Sequence, residues 1–309
     1  MKAMQVNQPG RQPTLILAEA PNPEPGPGEV LVEVHAAGVT PAELLWYPTL
    51  HTKSGTPRTR AVPGHEFSGV IAAVGKDVGD FQLGEEVYGM NDWFADGATA
   101  EFCITLPRNI ARKPASLSHS AAASVPIGAL TAWQGLMDRA KLEPGERVLV
   151  HGGAGAVGLY AVQLAQQRGA HVLATVSPQD FDFVKQLGAD EAIAYKTTRF
   201  ESQVREVDVV FDTVGGDTLQ RSWGVLKPGG RMITIASNSE GATDPRVKDA
   251  FFIVEPNRKQ LAEIGKQLDI GNLRAFVKAA FALNQASAAY NGAGRDKGKY
   301  GKVVIAVAA

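Results

Sequence analysis

The chain has 309 residues, 44% hydrophobic and 20% charged, which is enough for a packed core and for about two domains at ~150 residues each. Its 31 basic and 32 acidic side chains leave no basic surplus for binding nucleic acid or an anionic membrane. The single cysteine, Cys103, excludes an intramolecular disulfide and a cysteine-rich zinc lobe. No segment reaches roughly 18 uninterrupted apolar residues, and MKAMQVNQPG lacks an apolar signal region, so we expect a cytoplasmic protein.

The N-terminal third is rich in glycine and proline and contains short runs of β-forming residues. These runs lie at 30–34, 68–75 and 100–106, and their spacing predicts an all-β domain over residues 1–118. The segment PNPEPGPGE at 21–29 is either a loop or a polyproline ligand, and the strands predicted around it favour the loop.

From residue 119 onward, apolar strand-like segments alternate with amphipathic helix-length segments. The predicted strands are RVLVH at 147–151, HVLATV at 171–176, DEAIA at 190–194, VDVVFD at 207–212, RMITIA at 231–236 and AFFIV at 250–254. This alternation is typical of a parallel sheet with crossover helices, and it predicts a doubly wound α/β domain over 119–259. A helix after Pro256 and a strand in the final KVVIAVAA follow.

The strongest chemical signal is HGGAGAVG, in which Gly153, Gly155 and Gly158 form the pattern G-x-G-x-x-G. A strand precedes it, and an apolar helix and a second strand follow, so the βαβ context of a dinucleotide site is present. We expect Gly153 to allow the turn, Gly155 to admit a pyrophosphate and Gly158 to let the helix pack on the sheet. A tight βα turn without a ligand is the alternative. The predicted cofactor-binding residues of this turn are Gly153, Ala154, Gly155, Ala156, Val157 and Gly158.

The end of the second predicted strand carries a hydroxyl, Ser177, nineteen residues after Gly158. An acidic residue there would bind both ribose hydroxyls of NAD and repel the 2′-phosphate of NADP, so a serine favours NADP. Asp180 and Asp182 lie nearby, and no lysine or arginine follows in the first turn of the next helix, which argues for NAD. Alternatively, the two acidic residues only interact favourably with the helix dipole.

Together with the β-rich first part and the glycine turn, PGHEFSGVIAAVG at 63–75 resembles the medium-chain dehydrogenase/reductase superfamily. The segments LTAW at 130–133, LGAD at 187–190, FDTVGG at 211–216, LKPGGR at 226–231 and GKVVI at 301–305 resemble its zinc-independent quinone oxidoreductases and enone reductases. The resemblance implies a GroES-like catalytic domain, formed by 1–118 and completed by about 260–309, that clasps a Rossmann domain at 119–259. It also implies a homodimer paired through the last strand of the Rossmann sheet.

This chain differs from the zinc-dependent members of the superfamily at the zinc-ligand positions. Zinc-dependent relatives have a cysteine in the first loop, the histidine of GHE and a third ligand before LTAW, and these positions are Thr40, His65 and Ile127 here. A catalytic zinc needs three protein ligands, so we expect no metal. Without a Lewis acid to stabilise an alkoxide, the expected reaction is NADPH-dependent reduction of an electrophilic quinone or enone.

The family's cofactor contacts carry over by position. The resemblance places Thr131 beside the nicotinamide and implies cofactor contacts for Tyr195, Val214, Gly215, Ile235, Ala236, Ser237, Phe252, Ile253 and Val254. A packing role alone is the alternative for each of them.

The acceptor pocket is implied by a first loop in which the family's NPxD reads TPAE at 40–43. Thr40 and Glu43 stand for the asparagine and the aspartate, and Leu44, Leu45, Trp46 and Tyr47 form an apolar group suited to a flat hydrophobic acceptor. Trp46 and Tyr47 could instead belong to the core or an interface. The sequence offers no strong proton donor for this pocket, so we expect the acceptor to take its proton from solvent, Tyr47 or Thr131.

Two other functions stay open. An NADPH-binding redox sensor or structural protein needs the same glycine turn but does not consume the cofactor. A zinc alcohol dehydrogenase is disfavoured by Thr40 and Ile127.

Overall fold

The structure, a computed structural model, describes residues 1–7, 13–294 and 300–308. It contains two compact units. The first comprises Met1–Ile127 and Glu255–Ala309, and the second comprises Gly128–Val254.

The elements are numbered in chain order. The strands are β1 (Lys2–Asn7), β2 (Thr14–Glu19), β3 (Val30–Gly38), β4 (Glu66–Val74), β5 (Glu86–Met90), β6 (Phe102–Thr105), β7 (Ile110–Arg112), β8 (Arg147–His151), β9 (His171–Val176), β10 (Glu191–Ala194), β11 (Val207–Asp212), β12 (Leu226–Thr234), β13 (Val277–Ala282) and β14 (Lys302–Ala306). The helices are α1 (Tyr47–Leu50), α2 (His119–Ala122), α3 (Pro126–Trp133), α4 (Gly158–Gln167), α5 (Phe181–Gln186), α6 (Gly216–Ser222), α7 (Pro245–Ala250), α8 (Arg258–Asp269) and α9 (Ala286–Tyr290).

The first unit is built around a seven-stranded sheet in the order β13-β14-β3-β4-β5-β7, with β6 also paired to β3. Alternate residues of β3, Val30, Val32 and Val34, are buried, as expected of strands with one face on a core. The C-terminal strand β14 pairs with β3, so the end of the chain completes this sheet. The predicted β-rich first domain is confirmed.

The second unit is a parallel sheet in the order β10-β9-β8-β11-β12. Its central strands are continuous apolar runs, such as Val148, Leu149 and Val150, because a parallel sheet is covered on both faces. The strand order reverses between β8 and β11. Ligands of such sheets bind at this switch point, outside the carboxyl ends of the strands.

The predicted sixth strand of this sheet, AFFIV at 250–254, is wrong. Asp244 caps α7 through its side chain and Pro245 occupies the first turn, so the chain is helical up to Ala250. Phe251 then makes one isolated bridge, to Thr234. The apolar run reflects burial of an extended segment that lacks a ladder.

Among the described residues, no helix combines the length and the apolar character needed to cross a lipid bilayer.

Candidate active site

The glycine turn connects β8 to α4 and is held by its own backbone. Gly152 has φ +74°, a conformation that favours glycine, and its carbonyl accepts a hydrogen bond from Gly155 N at 2.9 Å. A Cβ on Gly158 would overlap that carbonyl, and a Cβ on Gly153 would lie 2.9 Å from Ala174 Cβ on β9. The expected tasks are therefore exchanged: Gly153 packs on the sheet, and Gly158 makes room for the turn.

Gly155 is the open position of the turn. A Cβ there would meet only Gly152 O, at 3.2 Å, and both Gly155 and Ala156 are exposed, whereas Ala154 and Val157 are half-buried. The first turn of α4 begins at Gly158, three residues after this opening, and a helix N-terminus favours an anion. The turn thus fits the pyrophosphate of a dinucleotide.

A cavity of about 790 Å³ opens beside the turn, within the second unit. Its lining residues are His151, Gly152, Thr175, Tyr195, Lys196, Thr197, Thr198, Arg199, Phe200, Val214, Asp217, Thr218 and Arg221. Two predicted residues, Tyr195 and Val214, are in this lining. Ser177 joins Tyr195, because its Oγ donates to the tyrosine hydroxyl at 3.3 Å.

The cations of this cavity differ in how they are paired. Arg199 and Arg221 both form ion pairs with Glu201. Burial opposes ionisation of Glu201, but hydrogen bonds from its backbone, Arg221 and Arg199 lower its pKa to about 2. Lys196 has no carboxylate partner among the described residues, and its Nζ lies 5.9 Å from the centroid of the Tyr195 ring. Sequence reasoning missed Lys196, although it directly follows Tyr195.

The buried carboxylate of Asp212 organises the loops after β11 and β12. It accepts hydrogen bonds from the backbone N–H of Val214 and of Gly215, each at 3.0 Å, and from Thr234 Oγ1 at 2.9 Å. The Val214 side chain is 52% exposed. Ile235 N donates to the Asp212 carbonyl at 3.1 Å, so the two predicted cofactor loops meet at this residue.

The last predicted cofactor segments follow the same edge of the sheet. A Cβ on Gly215 would lie 2.5 Å from Ala236 Cβ, and Ser237 follows on the surface. Phe252 N donates to the Thr234 carbonyl at 3.3 Å. In the segment 252–254, Phe252 and Val254 are buried and Ile253 is 44% exposed.

Thr131 lies on α3, which packs against the glycine turn. A Cβ on Gly128 would lie 2.5 Å from Ala156 O and 2.9 Å from the Tyr160 ring, so the helix approaches the turn where it has no side chain. Thr131 is buried one turn further along. The helix continues as a π-helical turn over Gln134–Arg139, a feature often found at functional sites.

In the first unit, His65 belongs to a buried polar network. Its Nδ1 lies 2.6 Å from Glu43 Oε2, and its Nε2 lies 3.2 Å from the Ala95 carbonyl oxygen. Glu43 Oε1 accepts from Tyr290 OH at 2.9 Å and from Gly64 N at 3.1 Å. Burial and the Glu43 carboxylate raise the pKa of Tyr290, so it stays a donor. A carbonyl can only accept, so His65 Nε2 carries a proton.

These contacts do not fit a zinc ion. A metal-binding histidine offers an unprotonated nitrogen, but His65 Nε2 donates to a carbonyl and its Nδ1 faces a carboxylate. Ile127 offers no donor side chain, and the Thr40 hydroxyl is buried without a hydrogen-bond partner in the described ranges. Those ranges also contain no group of three histidine, cysteine or acidic residues arranged for a metal.

The expected apolar group after Glu43 divides between core and surface. Leu44 is buried, whereas Leu45 and Tyr47 are exposed, Tyr47 by 55%. The Tyr47 ring stacks on His51 at 4.0 Å between centroids, and Trp46 packs edge-on against Trp93 at 4.9 Å.

Comparison with known proteins gives the family. Residues 26–115 match the alcohol dehydrogenase GroES-like domain, and residues 187–305 match the zinc-binding dehydrogenase family. A probable zinc-binding oxidoreductase of Arthroderma benhamiae, described as mitochondrial, is 34% identical over 301 residues, 91% of this chain and 89% of the relative.

Two solved structures agree with this. The quinone oxidoreductase from Coxiella burnetii has a TM-score of 0.87 and 31% identity, over 100% of this chain and 99% of that one. The CurK enoyl reductase has a TM-score of 0.82 and 28% identity, over 99% and 98%. The GroES-like domain and Rossmann-like sheet are confirmed, and the protein is an oxidoreductase of a family that binds a nicotinamide cofactor. The chain belongs to the medium-chain dehydrogenase/reductase superfamily, in its quinone oxidoreductase branch.

Proposed function

We propose that the protein is a metal-independent, NADPH-dependent reductase of quinones or α,β-unsaturated carbonyl compounds. The observation that carries this proposal is the engagement of both His65 nitrogens, by Glu43 and by Ala95 O, at the position where zinc-dependent relatives bind metal. Quinones and enones are already electrophilic, so their reduction does not need a Lewis acid. Bound NADPH would supply the hydride. The residues of this chain would bind and orient the cofactor and the acceptor, and they would exclude water from the site.

The test is turnover by protein treated with a chelator. We expect NADPH oxidation with quinones and enones, near-background rates with aldehydes and alcohols, and no loss of rate after chelation. Stoichiometric zinc whose removal abolishes turnover would contradict the metal-independent reaction. Tight NADPH binding with no consumption by any acceptor would favour a redox sensor.

The same assay tests two of the three catalytic candidates, Thr131 and Tyr47. We propose that Thr131 places the nicotinamide, that Thr40 borders the acceptor and that Tyr47 is at most a weak proton source. Thr131→Val should lower kcat, and Tyr47→Phe should change it little because that ring is exposed and stacked on His51. A loss of ~10³ or more in Tyr47→Phe with unchanged NADPH affinity would make Tyr47 an essential acid.

We propose that the cofactor is NADPH because the ribose end of the site offers a hydroxyl and an unneutralised cation. Ser177 replaces the acidic residue of NAD sites and contacts Tyr195, and Lys196 follows with no carboxylate partner in the described part of the chain. Asp182 lies in the first turn of α5, where a negative charge is stabilised by the helix. The loops with Val214, Gly215, Ile235–Ser237 and Phe252–Val254 are proposed to border the rest of the cofactor.

We expect NADPH to bind more tightly than NADH. Ser177→Asp should shrink or reverse the preference by repelling the 2′-phosphate. Lys196→Ala should weaken NADPH about tenfold, since a hydrogen bond to a charged group contributes about 1.5 kcal/mol, and should leave NADH unchanged. Lys185→Ala, which removes a charge from α5, is the matched control. Titrations with both cofactors decide this, and tighter NADH binding by the unmodified protein would refute the preference.

We propose that the protein is a homodimer paired through β12. This strand is at the edge of the parallel sheet, and beyond it the described residues add only the Thr234 to Phe251 bridge. An open edge is a template for pairing with a second copy. Light scattering at micromolar concentration should give twice the chain mass, and a monomeric mass would exclude the dimer.

A further inference from the structure

Behind the glycine turn, buried polar side chains join β8, β9 and α6. His151, the last residue of β8, is 0% exposed, with Nδ1 3.0 Å from Thr175 Oγ1 and Nε2 2.8 Å from Ser222 Oγ. Its ring also packs edge-on against Phe200, at 4.6 Å between centroids. Thr175 and Ser222 are buried as well.

The neighbours of His151 fix the direction of these hydrogen bonds. Ser222 Oγ donates its one proton to the Thr218 carbonyl at 2.7 Å, so towards His151 it can only accept. The imidazole proton is therefore on Nε2. Burial lowers the pKa of His151 to about 4, so the ring is neutral at pH 7, and its bare Nδ1 accepts from the Thr175 hydroxyl.

Thr175 links this series of hydrogen bonds to the glycine turn. Gly152 N lies 3.3 Å from Thr175 Oγ1 and 3.2 Å from the Thr175 carbonyl oxygen, so its proton is shared between two acceptors of one residue. Gly153 N donates to the same carbonyl at 3.1 Å. On the other side, Thr213 Oγ1 donates to the His151 carbonyl at 2.8 Å. The start of the turn is thus held from β9 and from the loop after β11.

We propose that the chain from Gly152 N–H through Thr175 and His151 to Ser222 holds the glycine turn in its dinucleotide-binding form. Thr175 and neutral His151 are then positioning residues for the cofactor. His151, Gly152 and Thr175 all border the cavity beside the turn, so a shift of any of them changes the cavity in which we propose that the nucleotide binds. This role rests on the proposed function, since it needs the turn to bind a nicotinamide cofactor.

The first test compares two substitutions of one residue. Thr175→Val keeps the shape but removes the hydroxyl, whereas Thr175→Ser keeps the hydroxyl. We expect Thr175→Val to weaken NADPH and NADH alike by about tenfold, the effect of one to two lost hydrogen bonds, and Thr175→Ser to stay within about threefold of the unmodified protein. An equal loss for both cofactors distinguishes turn positioning from the 2′-phosphate contact of Lys196. Thermal unfolding of each variant shows that the protein is folded.

The second test reads the tautomer directly. Imidazole ¹⁵N shifts, assigned to His151 by their absence in His151→Asn, should show a protonated Nε2 and a bare Nδ1 at pH 7. An imidazolium, or a proton on Nδ1, would contradict the proposed series of hydrogen bonds from Gly152 N–H to Ser222. If Thr175→Val binds both cofactors as well as the unmodified protein does, the positioning role fails and the proposed function stands. If the unmodified protein binds neither cofactor, both fail.

Discussion

Gly155→Val is expected to reduce binding of NADPH and NADH by roughly a hundredfold while the protein stays folded. A Cβ at Gly155 would meet only Gly152 O, at 3.2 Å, so we expect the fold to accommodate a side chain there with a small shift of the turn. That side chain would fill the opening at which we propose that the pyrophosphate binds, and forcing bulk into such a contact typically costs 1–3 kcal/mol. Cofactor titration and thermal unfolding are the two measurements.

Two glycine substitutions control this experiment. Gly158→Ala should lower stability by about 2 kcal/mol, because its Cβ would overlap the Gly152 carbonyl and the turn must open. Gly224→Ala meets nothing within 4 Å and should alter neither stability nor affinity beyond about 0.5 kcal/mol. If the Gly155→Val protein binds the cofactor normally, the pyrophosphate does not bind at Gly155.

The sequence predicted the parallel sheet well for a physical reason. Strands covered on both faces are uninterrupted apolar runs, and 147–151, 171–176 and 207–212 coincide with β8, β9 and β11. The same rule failed at 250–254. A buried segment that runs beside a strand end has the same apolar composition without the ladder of hydrogen bonds, and composition does not tell the two apart.

The candidate site was only partly predictable. The glycine spacing predicted the position of the turn. It did not predict that Gly152 adopts a positive φ or that Gly158 faces the Gly152 carbonyl, because both depend on the path of the backbone. Lys196 becomes distinctive only because Glu201 neutralises the neighbouring arginines. Glu43 and Tyr290 are 247 residues apart, and no local pattern predicts their hydrogen bond.

Lys302→Met is expected to destabilise the protein by about 3–5 kcal/mol, enough to unfold a marginally stable domain. The Lys302 ammonium forms an ion pair with Glu66 Oε1, and Glu66 is 0% exposed. Glu66 Oε2 accepts from Ile127 N, in the first turn of α3, at 2.9 Å. Gly38 leaves the space that the Glu66 carboxylate occupies, because a Cβ there would overlap it. Denaturant unfolding gives the free energy.

The double variant Glu66→Gln with Lys302→Met separates the charge from the packing. Replacing both partners removes both charges of this ion pair together, so most of the lost stability should return, with a coupling energy of about 2 kcal/mol or more. Lys266→Met is the matched control, because its ion pair with Glu263 is exposed and should contribute under about 0.5 kcal/mol. If the two single losses simply add in the double variant, Glu66 and Lys302 act independently. The pairing of the two charges would then contribute nothing, and Glu66 would stabilise this part of the fold through its hydrogen bond to Ile127 N and its packing against Gly38.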